Sequence, residues 1–418
     1  MNRIILIGNG FDLAHGLKTS YKDYMDRYWG EWYNKLTKSS NSFESDALCE
    51  FRLFSTTENW KEVMKTHFHH LEYTKGKDLI TEVLRKREAR TYEESKFMEA
   101  IRKSINTKKW VDIEYEFYKL LSYWAKHNSP QKFNTRSDLN EQLKELTGKL
   151  VEYLKNIDIN QTLLNDGIKE KIYTPIKPQD ISINGRTGFI SHIDNWVKEN
   201  IKEWKHRFLQ YNIDPFDQSA TIDEVERIKS KMSESHFDYF TCKTYPKELL
   251  LPDNILLLNF NYTNTANLYL NNKSGFELNH IHGNLDNPDE ILFGYGDEMD
   301  DEYPTIEKRN NNELLKNMKT IRYSETDNYR KMLSFIVSAP YQIFIMGLSC
   351  GNSDRTLLNT LFEHDNCVSI KPYYYKKDDG TDNYIELVQN ISRNFTDMKK
   401  MRDRVVNKTY CEPLVGEK

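Results

Sequence analysis

The sequence lacks any pair of cysteines at redox or metal spacing. Its five cysteines (Cys49, Cys242, Cys350, Cys367 and Cys411) are odd in number, scattered, and form no C-x-x-C. That excludes a disulfide framework and a structural zinc module, and sets the expectation of a reducing, cytoplasmic protein. Long apolar runs are also missing. The longest, such as Ile255 to Leu258 and Ile343 to Met346, fall far below the ~20 residues a membrane helix needs. Met1 to Ile7 is too short for a secretory h-region. Charge of one sign is not in excess either: 59 Lys and Arg face 63 Asp and Glu, a net charge of −4. That balance argues against a protein dedicated to coating DNA or RNA. The basic stretch Lys75 to Arg90 is interrupted by Asp78, Glu82 and Glu88 and reads as a solvated helix face. No repeat and no low-complexity tract is present.

The chain has 418 residues, room for two domains. Aromatics reach 13%, with 26 Tyr, which supports a core with many half-buried aromatic positions. The richest stretch is the opening. Ile4 to Ile7 is a continuous apolar run, as in a strand buried on both faces, and Gly8-Asn9-Gly10-Phe11-Asp12 follows at once. A Gly-x-Gly turn between strand and helix lets backbone N–H groups approach a phosphate. The pattern is incomplete, because Leu13 stands where a dinucleotide fingerprint wants Gly or Ala, and no Walker A lysine follows. The same glycines would serve close strand–helix packing alone. Asp12 would repel a phosphate, so it is expected to face a ribose hydroxyl, to order another side chain, or to cap the helix through Leu13 and Leu17.

The texture of the chain defines three regions: 1–32, the first βα unit; 33–250, a helical insertion with almost no strand signal; and 251–418, the rest of an α/β core. Within the insertion, Leu139, Leu143, Leu146, Leu150 and Leu154 recur at helical spacing, and Val111 to Trp124 and Ile193 to Phe208 read alike. Tyr173 to Asn184 reads as a loop. From Leu251 onward strands are expected at Ile255 to Phe260, Phe276 to Ile281, Ile291 to Phe293, Gln342 to Met346 and Val368 to Tyr375. Helices are expected over Asn312 to Ser338, Asp354 to His364 and Asn383 to Val405. Such alternation implies a mostly parallel sheet with helices on both faces, which the first strand joins.

In such sheets ligands bind outside the carboxyl ends of the strands. The residues just after the apolar runs are Asn9 and Asp12; Asn259, Asn261 and Thr263; His280, His282, Gly283 and Asn284; and Ser349, Asn352 and Asp354. They describe a concave site of hydroxyl-directed donors and acceptors without Lys or Arg. Gly347-Leu348-Ser349-Cys350-Gly351 fits G-x-S-x-G between a strand and a helix. Serine hydrolysis is set aside because the one later histidine, His364, falls in the very next helix, and Cys350 has no His orienter. His67, His69 and His70 lack a supporting Cys or carboxylate at metal spacing, so no metal is expected. The acidic run Glu298, Asp300, Asp301 and Glu302 reads as a solvated loop. On one helix, Asp112 and Glu116 share a face while Glu114 points elsewhere; one of the three could reach the site from the insertion.

Together these pieces resemble the AbiH family of bacteriophage abortive-infection proteins. The matching segments are Ile7 to Leu17 with Ser20-Tyr21, Trp110 to Glu114, Asn259 to Thr263, His282-Gly283, and Gly347 to Ser349 with Asp354. Their order is more distantly similar to the sirtuin-like, Rossmann-like NAD-processing domains. There Asn261 falls on the catalytic Asn and His282 on the catalytic His. Thr263 replaces an Asp, and the zinc module is absent, so the resemblance implies NAD cleavage by water rather than protein deacylation. It implies Asn261, His282 and Asp12 as catalytic residues. Gly8, Asn9, Gly10, Phe11, Thr263, Gly283, Gly347, Ser349 and Asp354 would bind the nucleotide, with Ser349 at the adenosine ribose.

NAD would be substrate or ligand. Because its loss harms the cell, the helical insertion would take a phage-derived trigger or partner protein, and leaves room for a homo-oligomer. Membrane contact is not expected, and nucleic acid ranks last as a ligand. Two rival readings stand beside the hydrolase: a sensor of NAD or ADP-ribose that signals through the helical domain without cleaving, and a nucleic-acid-acting effector, which would want clustered carboxylates for metal ions.

Overall fold

A computed structural model describes residues 1–38, 43–53, 90–108, 112–127, 138–189, 191, 250–271 and 275–416. His67, His69 and His70, the helix expected over Ile193 to Phe208, Trp110, Cys242 and all but the last residue of the basic stretch lie outside them.

Strand β1 (Asn2–Ile7) leads into helix α1 (Asn9–Ala14) and then α2 (Tyr21–Lys38). Three short strands come next: β2 (Phe43–Ser45), β3 (Cys49–Leu53) and β4 (Arg90–Glu94). Helices α3 (Lys96–Lys108), α4 (Ile113–His127), α5 (Leu139–Lys155) and α6 (Asp166–Ile172) follow. The chain then returns to the main sheet with β5 (Ile255–Asn259) and β6 (Phe276–His280). Short helices α7 (Tyr303–Glu307), α8 (Asn312–Leu315) and α9 (Lys319–Arg322) precede α10 (Asn328–Ser338). Strand β7 (Tyr341–Met346), helix α11 (Arg355–Glu363), β8 (Cys367–Tyr373), α12 (Tyr384–Arg393) and α13 (Met398–Arg404) complete the core.

The main sheet has five strands in the order β6-β5-β1-β7-β8, and every neighbouring pair is parallel. The N-terminal strand therefore lies at its centre, between strands drawn from the far end of the chain. Strands β1, β5, β7 and β8 are buried along their whole length, which is why Ile4 to Ile7, Ile255 to Leu258 and Ile343 to Met346 read as apolar runs, while β8 buries Ser369 and Lys371 as well. One face packs Ile4, Leu6, Leu256 and Ile343 against Met332, Ile336, Leu358 and Leu361. The opposite face packs Ile5, Ile7, Leu257 and Phe344 against Phe11, Ile168, Ile172 and Tyr269. A third core joins α2, α3, α4 and α5 and takes in Tyr262, Phe293, Tyr295, Leu314 and Met318 from the second half of the chain.

Four expectations need correction. The region 33–250 is not all helical: β2, β3 and β4 form an antiparallel three-stranded sheet. Their sequences, FES, CEFRL and RTYEE, are short and charged; only CEFRL alternates apolar and polar residues, over five positions, and its two neighbours in the sheet do not. Ile291 to Phe293 forms no strand but is buried chain crossing beneath the helices. The helix expected over Asn312 to Ser338 is three helices, α8 to α10, and that over Asn383 to Val405 is two, α12 and α13, interrupted at Asn394 to Asp397. Asp397 caps the second piece, accepting the backbone N–H groups of Lys399 and Lys400. Among the described residues no helix is long and apolar enough to cross a membrane.

The carboxyl ends of β1 and β7 meet in a glycine contact. A Cβ on Gly8 would stand 2.5 Å from Leu348 Cα, and one on Gly10 would stand 2.8 Å from the Gly347 carbonyl oxygen. Gly347 itself has φ +76°, and a Cβ there would stand 2.0 Å from the Phe11 nitrogen. Gly347→Ala should therefore combine a left-handed backbone with a backbone clash, lowering stability by about 2–4 kcal/mol. Thermal unfolding followed by circular dichroism checks this; an unchanged midpoint would refute the contact.

Candidate functional site

The opening turn is committed to protein partners. Gly8 N–H donates to the Met346 carbonyl at 3.3 Å, Gly10 N–H to the Gly347 carbonyl at 2.8 Å, and Phe11 N–H to the Gly8 carbonyl at 2.8 Å. Asn9 is exposed, and its Oδ1 accepts from Thr19 Oγ1 at 2.6 Å. The Phe11 ring lies in the apolar core, edge-on to Tyr269. Asp12 is buried beneath the turn, where its Oδ2 accepts from Thr263 Oγ1 at 2.6 Å and its Oδ1 has no hydrogen-bond partner. Burial pushes its carboxyl up to about 6, against the hydrogen bonds from threonine hydroxyls that favour the ionised form.

After β5 the chain folds on its own side chains. Asn259 Nδ2 donates to the Thr263 carbonyl and faces His280 Nδ1, both at 3.1 Å, while its Oδ1 accepts the Asn261 N–H at 3.0 Å. Asn261 is thereby turned toward β1, and its Nδ2 donates to the Gly8 carbonyl at 3.0 Å. Gly283, at φ +78°, closes the turn after β6, where a Cβ would stand 2.5 Å from the Glu290 carbonyl oxygen.

Beside this rim lies a buried charged centre built on Lys319. Its Nζ donates to Asp354 Oδ1 at 2.8 Å and to Glu114 Oε2 at 3.0 Å. Glu114 comes from α4, Lys319 opens α9 and Asp354 precedes α11, so the centre ties the helical layer to the sheet. Glu114 Oε1 accepts the Gly294 N–H at 3.1 Å. His282 Nε2 lies 3.1 Å from Asp354 Oδ1 and 3.2 Å from the Tyr323 hydroxyl, and its ring makes a further hydrogen bond to the Phe260 backbone. Tyr21, Tyr262 and Tyr323 surround the centre, their hydroxyls pushed well above the ordinary range by burial and by the nearby carboxylates.

The electrostatics divide the carboxylates. Burial pushes Asp354 up, but Lys319 and His282 outweigh it and hold it well below the usual range. Burial lowers Lys319, and its two carboxylate partners more than restore it. Glu114 is pushed up to about 7, by burial first and by Asp354 and Asp112 after it, against the attraction of Lys319. Burial and Lys319 lower the His282 imidazole, while Asp354 opposes them. Asp112 belongs to the same field: burial raises it, and Lys319 lowers it. One ammonium thus serves a surplus of carboxylates, an environment complementary to a positive charge.

The structure brings together Gly8, Gly10, Gly347 and Asn261 on the rim and His282 and Asp354 in the charged centre. Asp12 and Thr263 form a buried pair behind the rim, which the Asn261 side chain also reaches. Ser349 is exposed on the loop after β7. Cys350, at φ +54°, is buried, and burial pushes its thiol well above the ordinary range, so neither residue is set up as a nucleophile. Lys319 contradicts the expectation of a site without cations; it lies far upstream of β7 on a four-residue helix with no local motif to mark it. Glu114, expected to point away, is the member of its helix face that reaches the centre, while Glu116 pairs with Lys119. In the acidic run Glu298 and Asp301 are exposed as expected, while Asp300 accepts from the Tyr118 hydroxyl at 2.8 Å and Glu302 pairs with Lys126. Among the described residues no group of three or more His, Cys, Asp or Glu side chains could hold a metal ion.

A parallel α/β sheet whose strand ends carry such a centre defines the class. The sequence matches the family Bacteriophage abortive infection AbiH over residues 4–375, and the chain belongs to that family. No match was found among curated proteins or solved structures.

The Glu114 carboxyl titrates higher in the folded chain than its ordinary 4.5. The folded state therefore holds a proton that the unfolded state has lost, and the stability this contributes below pH 4.5 falls away as pH rises through about 7. Asp12 adds a slope of the same sign, so the readout is a difference. Glu114→Gln should lose less stability than wild type between pH 5 and 7, by on the order of 1–3 kcal/mol. Urea unfolding across that range measures it; parallel curves would refute the assignment.

Proposed function

We propose that this abortive-infection protein binds NAD, or a closely related nucleotide, at the carboxyl ends of β1, β5, β6 and β7 and hydrolyses it to nicotinamide and ADP-ribose. The observation that carries this reading is the surplus of carboxylates about Lys319 and His282 at those strand ends. The strand order supports it: with β1 between β5 and β7, the connections depart in opposite directions at the β1/β7 boundary, the place where nucleotides bind in doubly wound sheets.

The reaction breaks the bond between nicotinamide N1 and ribose C1′. The pyridinium nitrogen takes the bonding electrons and leaves as a neutral base, while positive charge develops on the ribose. Fixed negative charge stabilises that cation without reorganising during the reaction. Water adds to C1′ and its proton passes to a base. His282 is the acceptor in this reading: burial favours its neutral form, Phe260 holds one ring nitrogen, and the other takes the proton once the water replaces its contacts to Asp354 and Tyr323. Asn261 positions a ribose hydroxyl or the water, and Gly8 to Phe11, Gly283 and Gly347 to Ser349 offer backbone at close range. Asp12, with Thr263, stands behind the turn and orients it.

The protein partners already held by Gly10 N–H and His282 favour a second reading, in which the same crevice senses the nucleotide without cleaving it. Purified full-length protein incubated with NAD, with products resolved by chromatography, separates the two. The expected products are nicotinamide and ADP-ribose, lost in Asn261→Ala and His282→Ala. Full turnover in both variants would overturn the assignment, and saturable binding of NAD that stays intact would favour the sensor.

A further inference from the structure

Asn259 ends β5 with the nitrogen and the oxygen of its side-chain amide both engaged. Its Nδ2 donates to the Thr263 carbonyl at 3.1 Å, and its Oδ1 accepts the Asn261 N–H at 3.0 Å. A carbonyl on one side and a backbone N–H on the other fix which end of the amide is nitrogen, because exchanging the two would break both bonds. The same Nδ2 lies 3.1 Å from Nδ1 of His280, which faces Asn259 across the β5–β6 ladder. An amide N–H cannot accept, so Nδ1 is the acceptor and carries no proton. The ring is therefore neutral, with its proton on Nε2, and it makes a further hydrogen bond to the Asn261 backbone.

Asn261 is thus held at three points. Asn259 Oδ1 takes its N–H, the His280 ring bonds its backbone, and its own Nδ2 reaches the Gly8 carbonyl at 3.0 Å. A proton on His280 Nδ1 would set donor against donor. Asn259 cannot answer by turning its amide over, since that would break the bonds to Thr263 and Asn261. Either the ring swings away or Asn259 leaves its place, and both loosen Asn261. His280 is half-buried, within reach of solvent protons. Among the described residues the charged group that acts on the ring is Asp286, in the loop after β6; it favours the imidazolium, and burial opposes it more strongly. Asp12 of α1 acts on the Asn261 side chain instead. We infer that His280 is a positioning residue for Asn261: unprotonated at Nδ1 it locks Asn261 against the β1 turn, and protonation releases it. Its effect on turnover rests on the nucleotide reading above; the lock itself does not.

The test is magnetic resonance of the full-length protein, isotope-labelled at the nitrogens of histidine and asparagine. Long-range proton–nitrogen correlation should show His280 as the Nε2–H tautomer at neutral pH. On acidification the Nδ1 resonance and the Asn261 amide resonance should move with one shared midpoint, below the ordinary histidine range. His280→Asn places a side-chain oxygen near where Nδ1 stands and does not titrate, so the Asn261 step at that midpoint should vanish. His280→Leu removes the acceptor and should lower NAD turnover about ten- to a hundredfold. His280→Asn should recover much of that loss and flatten the acid side of the pH profile. A wild-type ring with its proton on Nδ1 at neutral pH, or an Asn261 amide that ignores the ring's titration, would overturn the lock, whether or not the variants fold. Turnover in His280→Leu equal to that of wild type would overturn the positioning role. A wild type that shows the shared midpoint yet neither binds nor cleaves NAD would overturn the nucleotide reading and leave the lock standing.

Discussion

Everything in the candidate site depends on the Lys319 ammonium being shared by Glu114 and Asp354. A buried cation between two carboxylates is a poor way to gain stability, since desolvating the charges consumes most of the attraction. Its value lies in geometry. Lys319 fixes Asp354, Asp354 fixes His282, and the same cation draws Glu114 and hence α4 against the core. Loss of the cation would leave two carboxylates in an apolar setting, so the layers and the site stand or fall together. Carboxylates outnumber the ammonium in the centre, with Asp112 in the same field, and Glu114, its carboxyl pushed up to about 7, takes up part of that excess by holding a proton.

The contact between the β1 and β7 turns shows how a sequence signal can carry two meanings. Gly8 and Gly10 suggest a phosphate cradle, and what they accomplish in the fold is the approach of two backbones, with Gly347 on the other side. The donors of the turn are occupied by carbonyls of the chain. Any ligand there meets a surface of close-packed backbone, backed by the Asp12–Thr263 pair and shaped by the Asn261 bond to the Gly8 carbonyl.

The sheet was legible because strands buried on both faces are mostly apolar, and Ile4 to Ile7, Ile255 to Leu258 and Ile343 to Met346 are continuous runs. The convergence of strand ends was legible for the same reason: a parallel sheet puts every residue after an apolar run at one end. Lys319 and Glu114 were not. Glu114 sits on a helix whose neighbours Asp112 and Glu116 are also acidic, and only the tertiary partner decides which of them is drawn in. Strands β2 to β4 were missed because they are three to five residues long and charged, and the one that alternates, Cys49 to Leu53, has flanking strands without that pattern. The breaks in α8 to α10 and in α12 to α13 were missed because each fragment is itself amphipathic, so the apolar period runs on across the interruption.

The central position of β1 has a consequence for biosynthesis. Its hydrogen-bonding neighbours, β5 and β7, leave the ribosome some 250 and 340 positions later, and Glu114 waits for a lysine 205 residues downstream. Contacts of such long sequence separation form late and slowly. The N-terminal strand therefore has no neighbour in its sheet until β5 is made, and the charged centre cannot assemble until Asp354 is. Chains stalled before Lys319 and Asp354 therefore carry the opening turn without the charged centre beside it.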